Sequence, residues 1–251
     1  MTVELIVAQI TDCHLFSHSA GLHHGCNVYS NLVNVLQRIK QLDRVDVIVF
    51  TGDLTQDHSE ESYQLFVSAF ETTEITTPVY FLAGNHDEPE LLELYLASKP
   101  FHQGNIIETT SWQILLVASK SETPAGFVSE QQFDKLNGEI NGNKAQLLLM
   151  HHHPVNVGFF IDRHGLKNKT RFHQFINEHS SIAAVGCGHV HQALTLPITL
   201  PAKNVPLFTC PATSIQFDKH SDTVAKNGQG PGFQCFTLKE NRQLSSEVFF
   251  L

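Results

Sequence analysis

Basic residues are scarce in this 251-residue chain: 16 Lys and Arg stand against 25 Asp and Glu, a formal net charge of −9. A long polyanion such as duplex DNA meets repulsion over most of such a surface, so nucleic-acid polymers are not expected partners. A small anion is not excluded, because a metal can reverse the field inside one cleft. Cysteine is sparse as well. The five (Cys13, Cys26, Cys187, Cys210, Cys235) are odd in number, scattered and without a C-x-x-C pair, so nothing suggests a zinc ribbon or a redox motif, and reduced thiols in a cytosol fit best. No apolar run approaches the ~18 residues of a membrane span, and Met1-Thr2-Val3-Glu4 lacks the basic-then-apolar pattern of an export signal. A soluble, cytoplasmic protein with no membrane partner is expected. Repeats, low-complexity tracts, charge blocks and linkers are missing too, so a single domain over 1–251 is expected. With 41% hydrophobic and 16% charged residues, the chain has the composition of a packed globule.

What the sequence has in quantity is histidine, 16 in all, and short apolar runs bounded by Gly, Pro, Asn and Asp. Leu5–Ile10, Val45–Phe50, Val79–Ala83, Ile114–Ala118, Gln146–Met150, Ala183–Cys187, Val205–Thr209, Phe233–Leu238 and Val248–Leu251 read as buried strands. Between them, Leu32, Val35, Leu36 and Ile39 share one helical face, as do Tyr63, Phe66, Val67 and Phe70; Leu91, Leu92 and Tyr95 continue the pattern. Strand and helix alternate over the first 190 residues, the signature of an α/β domain with mainly parallel pairing. From Pro197 onward, turn chemistry at Ala202-Lys203-Asn204 and Glu240-Asn241-Arg242 suggests antiparallel hairpins.

Metal-ligand side chains follow five of the strands: Asp12 and His14, Asp53, Asn85-His86-Asp87, His151-His152-His153, and His189 with His191. The carboxyl ends of strands form the edge of an α/β sheet where ligands bind, so these pieces can converge. Singly each has a plain alternative: a turn at Gly52-Asp53, a helix cap at Asp87 before Pro89, a solvated loop for the triple histidine. Five together, all at strand ends, point to chemistry. At least one ring of the triple is expected to face inward, since Pro154 stiffens the turn. His23 and His24, in a Gly-flanked loop, are placed at the mouth of the cleft. The remaining histidines lack such context.

Two carboxylates, one amide and four imidazoles make a mixed O/N set suited to Mn, Fe, Zn or Co rather than Ca or Mg. Seven ligands are too many for one ion. They suit two ions sharing a bridging carboxylate, about 3.5–4 Å apart, an arrangement that clamps both oxygens of a phosphoryl displacement.

In their order, D-x-H, G-D, G-N-H-D, a strand-end His and G-H-x-H resemble the calcineurin-type metallophosphoesterase superfamily from Asp12 to His191. A fuller likeness is carried by Gln9-Ile10-Thr11-Asp12, Thr51-Gly52-Asp53-Leu54-Thr55-Gln56-Asp57, His151-His152-His153-Pro154, Cys187-Gly188-His189-Val190-His191-Gln192 and the late Cys210-Pro211-Ala212-Thr213-Ser214-Ile215-Gln216-Phe217. It is similar to the bacterial class III 3′,5′-cyclic AMP phosphodiesterases.

The resemblance implies a four-layer αββα sandwich of two mixed sheets flanked by helices, with a bimetal site at the strand ends. It implies that residues 197–251 add hairpins to the second sheet and cover the cleft. Asp12, His14 and His191 would hold one metal and Asn85, His152 and His189 the other, with Asp53 bridging; His152 is chosen because the family's ligand usually stands two residues before the proline. Two divalent ions, Fe or Mn first and Zn or Co after them, would be the cofactors. His86 would bind phosphate and protonate the leaving oxygen, with Asn85 and His191 also on the substrate and Asp87 orienting its neighbours. Hydroxide bridging the ions would open cyclic AMP to 5′-AMP. Ala118-Ser119 departs from the Asp-Ser or Asp-Thr frequent in relatives. Competing readings are hydrolysis of other small diesters, such as glycerophosphodiesters or 2′,3′-cyclic nucleotides, and a metal-binding scaffold without activity. Phe217 and Phe233 are placed in the core in preference to stacking on a purine. The partner expected is a small phosphodiester, with a homodimer admitted.

Overall fold

The computed structural model describes residues 2–251. In chain order its strands are β1 (Val3–Ile10), β2 (Leu22–His23), β3 (Cys26–Asn27), β4 (Val47–Phe50), β5 (Val79–Phe81), β6 (Phe101–His102) and β7 (Ile106–Glu108). There follow β8 (Trp112–Val117), β9 (Ala145–Met150), β10 (Ile182–Cys187), β11 (Leu194–Thr199), β12 (Asn204–Thr209), β13 (Gly232–Lys239) and β14 (Leu244–Phe250). The α-helices are α1 (Val28–Lys40), α2 (Glu60–Thr73), α3 (Pro89–Tyr95), α4 (Glu130–Glu139) and α5 (Lys169–Glu178).

Two six-stranded mixed sheets form, ordered β14-β13-β1-β4-β5-β6 and β11-β12-β10-β9-β8-β7, and β2 pairs only with β3. The strands that carry the clustered polar residues, β1, β4 and β5 in one sheet and β9 and β10 in the other, run parallel to their neighbours in that group.

Side-chain alternation builds three apolar layers. Along β9, Leu147 and Leu149 face the space between the sheets, where Val7, Val49, Trp112 and Phe236 pack. Leu148 and Met150 point the other way, onto Phe133 of α4 and Phe172 and Phe175 of α5. On the first sheet, Ala8, Ile10, Ile48 and Phe50 meet Leu32, Val35 and Leu36 of α1 and Phe66 and Phe70 of α2. Strands covered on both faces read as continuous apolar runs, which is why they were visible in the sequence. Three cores between four layers make the αββα sandwich.

The C-terminal part differs from the expectation. Residues 197–251 do not all join the second sheet: β12 and the last half of β11 do, whereas β13 and β14 return to the first sheet, with β13 antiparallel to β1. Gln9 records this return, since it donates to Thr51 Oγ1 at 2.8 Å and accepts from Gln234 at 2.6 Å, joining β1, the end of β4 and β13. The strands that sequence reading passed over are short or exposed. β2, β3 and β6 have two residues each, and β11 is an edge strand with Pro197 inside it, a position where proline costs no internal ladder bond. No helix among the described residues is long and apolar enough to cross a membrane.

Candidate active site

The loops after β1, β4, β5, β9 and β10 meet at one end of the sandwich. Asp12, His14, Asp53, His189 and His191 all adopt left-handed backbone conformations, with φ of 55°, 49°, 59°, 66° and 49°. Such a conformation costs a non-glycine residue on the order of 1–2 kcal/mol, and its recurrence at one site marks a functional constraint. Backbone bonds hold it: Asp12 N–H donates to Gly52 O at 2.9 Å and His14 N–H to Asp53 O at 3.1 Å. The β4 and β5 loops approach so closely that a Cβ on Gly52 would stand 2.3 Å from Gly84 N, so neither glycine can carry a side chain.

Four overlapping groups of ligand atoms result, which fall on two sides, with His86 beside the first and His152 beside the second. On the first, His191 Nε2 lies 3.3 Å from Asp12 Oδ1 and 3.2 Å from His14 Nε2. On the second, His151 Nε2 lies 3.3 Å from Asp53 Oδ2, 3.2 Å from Asn85 Oδ1 and 3.2 Å from His189 Nδ1. Asp53 Oδ2 is also 3.7 Å from His14 Nε2, so one carboxylate oxygen serves both sides.

This differs from the sequence choice in one ligand. His151, not His152, turns toward Asp53 and Asn85. His152 has both ring nitrogens engaged elsewhere, Nδ1 with Ser119 Oγ at 2.8 Å and Nε2 with the Pro124 carbonyl at 3.2 Å. In the fold His151 continues the parity of Leu147 and Leu149, which face the other sheet, a parity that the unbroken apolar run of β9 does not display in the sequence.

The donor set fits divalent cations. Ligand atoms around one ion at ~2.1 Å stand roughly 3.0–3.4 Å apart, close to the separations here. Asp12 Oδ1 is buried with no hydrogen-bond partner, an expensive state for a carboxylate oxygen unless a cation answers it. Burial holds His14 and His189 well below the usual imidazole value, hence neutral, the form that ligates. Burial resists charge on Asp53 too, yet His151, His86 and His14 hold its carboxyl well below the ordinary range. On His151, burial is outweighed by Asp53 and Asp12, lifting the ring to about 9. The outer nitrogens fix the rings: His151 Nδ1 faces Thr51 O and His191 Nδ1 faces Ile215 O, each at 2.8 Å, leaving Nε2 to point inward.

Asp87 does not reach the cluster. Its carboxylate is buried and accepts backbone N–H groups from Gly84, Asp53, Leu54 and Thr55 at 2.7–3.3 Å, binding the β4 and β5 loops together. Burial, with Asp53 nearby, pushes its carboxyl up to about 6. Its contacts are those of a positioning residue, made to backbone and not to the ligand atoms.

His86 does face the cluster. Its backbone N–H donates to Asp53 Oδ1 at 2.9 Å and its ring stands perpendicular to His14, with centroids 4.9 Å apart. Burial lowers its pKa from the usual imidazole value.

Ring contacts add neighbours to the cluster, of which His58 is one that sequence reasoning left without a role. Phe217 lies flat against His191, with centroids 3.9 Å apart and planes 5° from parallel. It is buried there, as Phe233 is against Phe249, so neither ring is free for a purine. His153 pairs with Asp162 at 3.3 Å and stacks on His189. His58 stacks on His86 and His23 on His14.

Known proteins resemble this chain in sequence and in fold. The calcineurin-like phosphoesterase family matches residues 5–193. A probable cyclic nucleotide phosphodiesterase of Colwellia psychrerythraea is 54% identical over 247 residues, covering 97% of this chain and 94% of that one. The 3′,5′-cyclic adenosine monophosphate phosphodiesterase CpdA of Vibrio vulnificus is 30% identical over 246 residues, covering 96% and 88%. A dimetal phosphatase from Danio rerio superposes with a TM-score of 0.65 at 14% identity, over 95% of this chain and 94% of that one, a likeness of fold. With the matched region spanning every ligand-bearing loop, the chain belongs to the calcineurin-like phosphoesterase family.

Proposed function

We propose that this protein is a two-metal phosphodiesterase that opens the 3′,5′-cyclic phosphodiester of cyclic AMP to 5′-AMP in the cytoplasm. The observation that carries the reading is Asp53 Oδ2, shared between the His14 side and the His151 side of one cluster. The substrate follows from the full-length likeness to the Colwellia and Vibrio phosphodiesterases.

Asp12, His14, His191 and Asp53 would hold one divalent ion, and Asp53, Asn85, His151 and His189 the other. Mixed carboxylate, amide and imidazole donors favour Mn or Fe, with Zn or Co as competitors. Bound there, such ions supply Lewis acidity toward phosphoryl oxygens and make hydroxide available near neutral pH. Against the −9 charge of the chain, a bound pair would reverse the local field in the cleft toward a phosphodiester anion.

The protein's own groups do the rest. Asn85 offers its amide N–H and His86 its ring to the phosphate, with His191 at the edge of the same space. His86 delivers the proton to the departing 3′ oxygen, work that suits a partly solvated imidazole. Asp87 keeps Asp53, Asn85 and His86 in register through the four backbone bonds it accepts.

Hydrolysis of 3′,5′-cyclic AMP by purified protein loaded with Mn or Fe, beside 2′,3′-cyclic AMP and bis-p-nitrophenyl phosphate, tests the proposal. Preference for the 3′,5′ ring, abolished by chelation and restored by metal, is expected. Activity confined to the other diesters overturns the substrate, and undiminished turnover in metal-free protein overturns the two-metal reading.

A further inference from the structure

The sandwich leaves one element without a place in either large sheet: the β2–β3 hairpin. Its turn is the two residues His24-Gly25, both at positive φ (46° and 78°), the pattern of a type I′ hairpin. Such a turn sets the strands closely, with His23 opposite Cys26. Beyond the turn the hairpin is fastened at Asn27, whose side chain caps α1 by accepting from Ser30 N–H at 2.8 Å and donates to Ser19 O at 2.9 Å.

This small rigid piece lays the His23 ring on His14. The centroids are 5.1 Å apart and the planes 8° from parallel. Since His86 stands perpendicular to the same His14 ring at 4.9 Å, His23 and His86 are both neighbours of one inward-facing imidazole. His23 is half-buried, and among the described residues its ring meets only other rings, His14 face to face and His24 edge-on with centroids 4.8 Å apart. A side chain placed by ring contacts, with its polar atoms uncommitted at the rim of the ligand cluster, is arranged to bind what would enter the metal-loaded site.

We propose that His23 is a substrate-binding residue, giving the phosphodiester a second imidazole N–H beside that of His86. The inference deepens the phosphodiesterase reading and rests on it for the identity of the diester, though not for the contact itself. His24 is exposed at the turn and touches the edge of the His23 ring rather than the cluster.

The test compares His23→Ala, His23→Gln and His24→Asn with the parent protein, each loaded with Mn, by bound-metal analysis, by KM and kcat on cyclic AMP and bis-p-nitrophenyl phosphate, and by calorimetric binding of inorganic phosphate. His24→Asn keeps a residue that tolerates positive φ. For His23→Ala the expected result is full metal content, KM and phosphate Kd raised about 5- to 10-fold, the loss of one hydrogen bond, and a smaller change in kcat. His23→Gln, which restores an N–H, recovers part of the loss. Unchanged KM and phosphate affinity in His23→Ala overturn the proposal. So does loss of metal from that variant, which would make His23 a prop for His14, or an equal effect of His24→Asn, which would assign the effect to the hairpin as a whole. A parent protein inactive on cyclic AMP but binding phosphate refutes the substrate and still reads His23; one binding no phosphate refutes both.

Discussion

Asp87 Oδ2 accepts the backbone N–H of Asp53 at 2.7 Å, and through this bond a residue outside the ligand cluster sets the backbone of the one carboxylate shared by both halves of the site. In Asp87→Asn an amide NH2 must replace one oxygen of a group that accepts only from N–H donors. The expected outcome is a 10- to 100-fold drop in metal affinity or activity, roughly the effect of removing a group that orients ligands. Metal titration of the variant checks it; unaltered affinity would show that the two loops hold themselves.

His151 and His152 separate cleanly in their expected effects. His151→Ala should cost one of the two metal equivalents and nearly all turnover, since its Nε2 meets Asp53, Asn85 and His189. His152→Ala should keep both metals and lose about 1–3 kcal/mol of stability, because Ser119 Oγ and the Pro124 carbonyl lose a buried partner. Elemental analysis paired with denaturant unfolding distinguishes them, and a reversal of the two results would restore His152 as the ligand.

For His86→Ala the metals should stay while turnover falls by roughly 10²–10⁴, the range for a lost general acid. A substrate whose leaving group needs no proton, such as a nitrophenyl ester, should suffer less. Equal losses on both substrates would argue that His86 binds phosphate without donating the proton.

Asp162 makes a pH dependence. Burial raises its carboxyl, but His153 and the N–H groups of Val157 and Gly158 outweigh that and hold it below the ordinary carboxylate value. A carboxyl depressed in the folded state contributes stability that is complete above its unfolded value, about 4, and is lost as pH falls through the folded one. The Tm gap between the parent and Asp162→Asn should therefore be constant from pH 7 to about 5 and shrink below about 4. A gap that widens on acidification contradicts the pairing.

The ligand-bearing strands were legible because both faces of β1, β4, β9 and β10 are covered, so their apolar runs are unbroken and their ends stand out by contrast. The convergence of Asp12, Asp53, Asn85, His189 and His191 could be read from strand-end position alone. Choosing among His151, His152 and His153 could not, since a continuous run such as Gln146–Met150 hides which parity faces the opposite sheet. The return of β13 to pair with β1 was hidden for a related reason: a hairpin's own sequence sets its turn, whereas the sheet it joins is decided by contacts such as Gln234 with Gln9, 225 residues away. His23 was visible only as one of two histidines in a loop until the His24-Gly25 turn fixed its direction.

Each ligand group draws on both sheets: Asp12 and His14 from one and His191 from the other, then Asp53 and Asn85 from one and His151 and His189 from the other. The cluster therefore works as a calliper whose opening is the gap between the sheets, set by the girth of Val49, Trp112, Leu147, Leu149 and Phe236. Trimming or swelling that filling would shift the jaws by tenths of an ångström while every catalytic side chain stayed in the sequence. Wear in the enzyme would then register as lost metal grip well before it registered as lost fold.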